Sequence, residues 1–272
     1  MSYAQALVLG LVQGLTEFLP VSSSGHLILV PHVFGWPDQG LAVDAALHLG
    51  TLAALLAYFR GEIFAMFTGA LDRRLGVLIV LATIPGAVAG LVFGKHIEAN
   101  FRWPLLIAGT TAFWGVVMFV ADRQARAAPP PRRTHPTPDD RPDDPLEHVG
   151  WGQGLAVGVA QALALVPGTS RSGITITTGL FGGLDRATAA RYAFLLGIPI
   201  TAGAGMKEAL HLARAGEHVG DMGPILAAVL VSFLAGWFAV WFLVSYLKRH
   251  SLLPFVIYRL ALAAVIFIVW YR

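Results

Sequence analysis

Two segments rich in glycine, proline and hydroxyl side chains interrupt this chain, and each lies between apolar arms too short to cross a bilayer. The first follows Ala4–Gly14 and runs Thr16-Glu17, Pro20, Ser22-Ser23-Ser24-Gly25-His26, before Leu27–Val33. The second follows Leu155–Val166 and reads Pro167-Gly168-Thr169-Ser170-Arg171-Ser172-Gly173, before Ile174–Leu184. An arm of 11 or 12 residues reaches about 17–18 Å at helical rise, against a hydrocarbon core of about 30 Å. Breaks of this kind leave backbone amides unpaired, and lipid forbids that unless protein or a wet cavity receives them. Both segments therefore read as re-entrant helix hairpins.

The rest of the chain supplies the membrane frame. Five apolar runs approach or reach spanning length: Leu41–Phe59, Leu75–Phe93, Pro104–Ala121, Pro224–Leu247 and Pro254–Tyr271. A sixth, Tyr192–Met206, is shorter and contains Pro199. Apolar residues make up 56% and charged residues 13% of the 272, about half the charge a soluble domain carries. A net charge of +3 is too small to imply a nucleic-acid partner, and there are no cysteines for a disulfide scaffold.

A shift of 148 positions superposes the breaks: Gly10 on Gly158, Gln13 on Gln161, Ser22 on Ser170, Ser24 on Ser172 and Gly25 on Gly173. Each hairpin precedes three spans, so an odd number of crossings inverts the second half. The expected fold is an all-α integral membrane protein, an inverted-topology repeat with six transmembrane helices and two re-entrant hairpins. Residues 1–121 form the first repeat (hairpin 1–33) and 151–272 the second (hairpin 151–184). Residues 122–150 form a proline-rich linker, and the seven prolines within Ala127–His148 (129, 130, 131, 136, 138, 142, 145) predict extended, mobile chain there. Twelve Lys and Arg fall on the linker's side and five (Lys95, Arg102, Lys207, Arg214, Arg272) opposite, which makes the linker cytoplasmic.

Ionisable residues at the breaks carry the chemistry. An intramembrane carboxylate such as Glu17 marks function by default, and Gln13 lies four residues before it, on the same helix face. His26 lies near Ser23 and Ser24, which predicts a nucleophile–base pair. Opposite, Arg171 stands among Ser170, Ser172 and Thr175 at a helix start, suited to an anion. The simplest chemistry is phosphoryl transfer from a lipid diphosphate, with a divalent metal on Glu17. Asp44 and Asp185 read as helix caps, Asp44 being also a candidate to help the metal; His48 reads as a core or interfacial residue before a cavity-lining one, and Lys207 and Arg259 as snorkelling cations.

The stretches Gly14-Leu15-Thr16-Glu17-Phe18-Leu19-Pro20-Val21-Ser22-Ser23-Ser24-Gly25-His26 and Pro167-Gly168-Thr169-Ser170-Arg171-Ser172-Gly173, with Pro254-Phe255-Val256-Ile257-Tyr258-Arg259, resemble the bacterial undecaprenyl-diphosphate phosphatase family of the bacitracin-resistance type. The resemblance implies hydrolysis of undecaprenyl diphosphate at an outward-facing site of the bacterial plasma membrane, serving cell-wall synthesis. It also implies a divalent cation (Mg or Ca) and frequent homodimers. Catalytic roles fall on Glu17, Ser23, His26 and Arg171. Phosphate contacts fall on Ser22, Ser24, Ser170, Ser172 and Thr175. The family often has a second Glu where Gln13 stands, so Glu17 would hold the metal alone or with Gln13.

Acid-phosphatase-like lipid phosphatases share Ser-Gly-His and Ser-Arg fragments, but Thr177 occupies the position of their final His, which rejects them. The rival reading is a carrier or flippase for a polyprenyl phosphate lipid, which needs the anion clamp but not the Ser–His pair. A structural scaffold would leave Glu17 and Arg171 as unexplained costs.

Overall fold

The computed structural model describes residues 1–37, 40–101, 103–127, 144–215 and 222–271. All regular structure among them is helical. The first break lies between α1 (Tyr3–Phe18) and α2 (Ser23–Phe34). The second lies between α7 (Trp151–Gln161) and α8 (Arg171–Phe181), where a 3₁₀ turn, Ala162–Leu165, extends α7. At each break a serine, Ser22 or Ser170, takes a left-handed backbone with φ of 78° or 70°. This conformation is costly for a side chain other than glycine.

Among the described residues, four helices are long and apolar enough to cross a membrane: α5 (Arg73–Asn100), α6 (Pro104–Ala127), α10 (Met222–Leu247) and α11 (Leu253–Tyr271). A fifth candidate is the pair α3 (Gly40–Tyr58) and α4 (Arg60–Thr68), bent by 60°. The 30-residue α9 (Arg186–Ala215) runs continuously through Pro199, as α5 does through Pro85. Asp185 accepts from the Ala187 and Thr188 amides and so caps α9. Asp44, by contrast, lies inside α3 rather than ahead of it.

Glycines allow the broken helices to sit close to the spans. A Cβ on Gly14 of α1 would lie 2.6 Å from the Ser232 carbonyl oxygen of α10, and one on Gly10 2.6 Å from that of Ala228. Gly158 of α7 meets Ala82 of α5 backbone to backbone in the same way. The Ser232 hydroxyl donates to the Leu47 carbonyl at 2.9 Å, fastening α10 to α3.

One end of the bundle is held by ion pairs. Arg186 pairs with Asp122 at 2.6 Å, and Arg191 pairs with Asp144 at 2.8 Å and with Glu62 at 3.1 Å. The linker expected over 122–150 starts inside α6, which runs to Ala127, and the extended chain expected over Ala127–His148 needs correction at its far end, where Pro145–His148 form a 3₁₀ turn. Leu146 and Val149 are fully buried there, and Arg74 donates to the Glu147 and Val149 carbonyls. Two apolar side chains and a capping Asp144 dock this stretch in spite of its composition. Residues 128–143, which hold six of the seven prolines, lie outside the described residues.

Two measurements check this packing. Gly14→Leu and Gly158→Leu should each cost about 1–3 kcal/mol by overpacking, seen as a lower thermal midpoint in detergent. Burial tends to raise the Asp144 pKa, but hydrogen bonds from Arg191 and the Leu146 amide, with the Arg191 charge, hold it below its ordinary value of 3.8. The stabilisation from a depressed carboxylate is complete above the unfolded value and is lost as pH falls through the folded one. The thermal midpoint should therefore drop below about pH 4, and Asp144→Asn should show a smaller acid-dependent drop.

Candidate active site

Each break puts polar and charged side chains at helix termini. Glu17 is the penultimate residue of α1, Ser23 the first of α2 and Arg171 the first of α8. All three line a chamber of about 560 Å³ that extends between α5 and α9. Arg171 Nη2 donates to Glu17 Oε1 at 2.8 Å. Glu17 Oε2 accepts from the Ser23 hydroxyl at 3.0 Å and from Gln13 Nε2 at 3.2 Å. The carboxylate is thus buried but fully engaged, which offsets the cost of placing a charge at this depth.

The two breaks are stitched to each other directly. The Gly168 amide donates to the Ser24 hydroxyl at 3.3 Å, and the Ser172 hydroxyl donates to the Leu19 carbonyl at 3.2 Å. Arg259 completes the join. Expected to snorkel, it is instead fully buried, and its guanidinium donates to the carbonyls of Thr111, Pro20, Gly168 and Thr169. Carbonyls freed by two broken helices need donors, and one planar cation with five N–H groups serves both loops.

The expected site residues divide into two groups. Glu17, Ser23, Ser24, Ser170 and Arg171 line the chamber; Gln13, Ser22, His26, Ser172 and Thr175 do not. Ser22 faces Ser24, Ser170 caps α8 through the Gly173 amide, and Thr175 donates back to the Arg171 carbonyl. The expected pairing of His26 with Ser23 or Ser24 is not formed. The Ser22 carbonyl can only accept, so His26 Nδ1 donates to it at 2.7 Å. Nε2 lies 2.7 Å from the Tyr258 hydroxyl, so both ring nitrogens are engaged and Ser23 turns to Glu17.

Sequence reasoning also underrated three positions. His48 lines the chamber, with Nδ1 donating to the Asp44 carbonyl at 2.7 Å and Nε2 3.8 Å from Glu17 Oε2. Its signal was the polar stripe Asp44, His48, Thr51 at helical spacing in an apolar run. Gly197 of α9 packs against Arg171 so closely that a Cβ there would collide with Nη1. That Nη1 has no hydrogen-bond partner, so the guanidinium keeps a donor in reserve. Gln161 is the third; both its polar side-chain atoms are buried and unpartnered.

Residues 6–265 match the model of the family described as bacitracin resistance protein BacA. An undecaprenyl-diphosphatase 2 of Stutzerimonas stutzeri is 45% identical, the match covering 99% of each chain. Undecaprenyl-diphosphatases of Moorella thermoacetica and Hahella chejuensis are 45% and 43% identical, over 100% and 97% of each chain respectively. Over nearly its whole length, this chain belongs to the bacitracin resistance protein BacA family.

Proposed function

We propose that this chain hydrolyses undecaprenyl diphosphate to undecaprenyl phosphate and inorganic phosphate, regenerating a lipid carrier for peptidoglycan synthesis. The observation that carries the reading is the contact of Ser23, Glu17 and Arg171 at the meeting of the two breaks. A hydroxyl hydrogen-bonded to a carboxylate is a nucleophile with its base, and the guanidinium beside it matches a phosphoryl group. Relatives named for this activity, similar over their whole length, point the same way. A lipid carrier or flippase would use Arg171 but has no need of a serine held on a base.

The contacts support attack by Ser23. The diphosphate draws Arg171 to its oxygens, and this releases Glu17 to take the Ser23 proton. Ser23 Oγ attacks the terminal phosphorus in line, and the bond to the bridging oxygen breaks. Undecaprenyl phosphate leaves, with a phosphoseryl group left on Ser23. Glu17, its first proton passed to the departing phosphate, then deprotonates a water that cleaves that ester and hands this second proton to Ser23 Oγ, freeing inorganic phosphate and restoring the hydroxyl. Arg171 stabilises the charge of both transition states. His26 and Arg259 hold the loops in register and touch no reacting atom.

The site also suits a hard divalent cation. Glu17 offers a carboxylate, and the Gln13 side-chain oxygen is buried without a partner. Among the described residues no group of three or more His, Asp or Glu gathers. A magnesium or calcium ion would therefore be held by Glu17 and Gln13 together with the phosphate oxygens. When bound it would neutralise charge on the diphosphate.

The frame we assign is two inverted repeats, residues 1–121 and 151–272 joined by 122–150, with α9 and the α3–α4 pair completing six crossings. Support comes from contacts that survive exchange of the halves. α1 packs on α10 as its counterpart α7 packs on α5, while α3 meets α9 and α6 meets α11. The strained Ser22 and Ser170 stand 148 apart, as do Thr111 and Arg259, which bond each other. The ion-paired end carries most of the basic residues and faces the cytoplasm of a bacterial plasma membrane. Gly94 and Lys207, on the far parts of α5 and α9, line the chamber, which opens outward.

Purified protein should release phosphate from undecaprenyl diphosphate, and Glu17→Ala, Ser23→Ala and Arg171→Ala should each lower kcat by about 10²–10³-fold or more. Acid quenching with substrate labelled in the terminal phosphate should trap label on Ser23; full activity of Ser23→Ala would refute the nucleophile. Gln13→Glu adds a second carboxylate and should lower the cation concentration needed for half-maximal activity.

A further inference from the structure

We propose that Gln161 is a headgroup-binding residue, its side-chain Nε2 donating to a phosphoryl oxygen of the diphosphate. The inference rests on the phosphatase reading and adds a contact from the second repeat. Gln161 ends α7 and is 3% exposed, yet neither its Nε2 nor its Oε1 has a hydrogen-bond partner. It lines the same chamber as Glu17, Ser23 and Arg171.

Its counterpart in the first repeat explains why the amide is unpaired. Gln13 donates to Glu17 four residues on, but the residue four beyond Gln161 is Leu165, which offers nothing to bond. A buried carboxamide without a partner is costly, and Leu or Met would fill the same volume at no such cost. Space is nevertheless kept for it: a Cβ on Gly86 of α5 would lie only 3.2 Å from Nε2. An unpaired donor on a residue of the chamber wall, in the chamber that Arg171 also lines, matches a ligand rich in acceptor oxygens, and phosphate oxygens are such acceptors. The amide carries no charge, so it binds and orients the headgroup without competing with Glu17 for protons.

The test uses the full-length protein with Gln161→Leu and the isosteric Gln161→Glu. Inorganic pyrophosphate with magnesium is the binding probe, read as stabilisation of the thermal midpoint, and undecaprenyl diphosphate is the substrate. Gln161→Leu should keep or raise the ligand-free midpoint, because an unsatisfied polar group is removed. It should weaken pyrophosphate binding and raise KM by about tenfold, with a smaller change in kcat, as loss of one hydrogen bond to a charged group requires. Gln161→Glu should weaken both further by placing an anion against the headgroup. Pyrophosphate affinity and KM within twofold of wild type in both variants would overturn the proposal, as would a lowered midpoint with unchanged pyrophosphate affinity. Wild-type protein that binds pyrophosphate but releases no phosphate from the lipid would refute the phosphatase reading separately, because the binding comparison needs no turnover.

Discussion

A carboxylate and a guanidinium held 2.8 Å apart between two broken helices set the terms for the rest of this molecule. Neither charge is tolerable alone at membrane depth, and bringing them together requires both helices to stop inside the bundle. Each stop exposes carbonyls and amides that lipid cannot satisfy. The fold answers with cross-loop bonds from Ser24 and Ser172 and with Arg259, which spans both loops. Glycines 10, 14 and 158 then bring the shortened helices against α10 and α5. The packing of the bundle follows from the need to support one ion pair.

The strained serines belong to the same account. Ser22 and Ser170 each take a left-handed conformation immediately before the first helical residue of α2 or α8. The turn so made puts Ser23 and Arg171 at helix N-termini, where backbone N–H groups and the helix dipole favour an anion. Local strain thus sits where the chain aims Ser23 and Arg171, and the bonds around it hold the geometry fixed. A glycine at either position would relieve the strain and lose a hydroxyl that bonds its neighbour.

Much of this was legible in the chain itself, for an identifiable reason. Arm length against bilayer thickness locates the breaks without any tertiary information, and so does the rule that intramembrane charge is functional. Glu17 and Arg171 were accessible by those means. Roles that depend on a distant partner were not. His26 looks like a base for the serines next to it in sequence, but Tyr258, 232 residues away, and the Ser22 carbonyl engage its nitrogens. Arg259 near a span end looks like a snorkelling cation until the carbonyls of two loops surround it. The end of the linker read as extended because composition outweighed two apolar side chains that turn out to be buried.

The most direct test of the central claim is a double-mutant cycle on kcat/KM with Glu17→Gln, Arg171→Gln and the pair. Residues in contact couple by about 0.5–3 kcal/mol, whereas distant ones add within about 0.3–0.5 kcal/mol. The structure predicts strong coupling, the double variant being little worse than either single one. Additive losses would mean that the two breaks do not meet, and the account would fall with them.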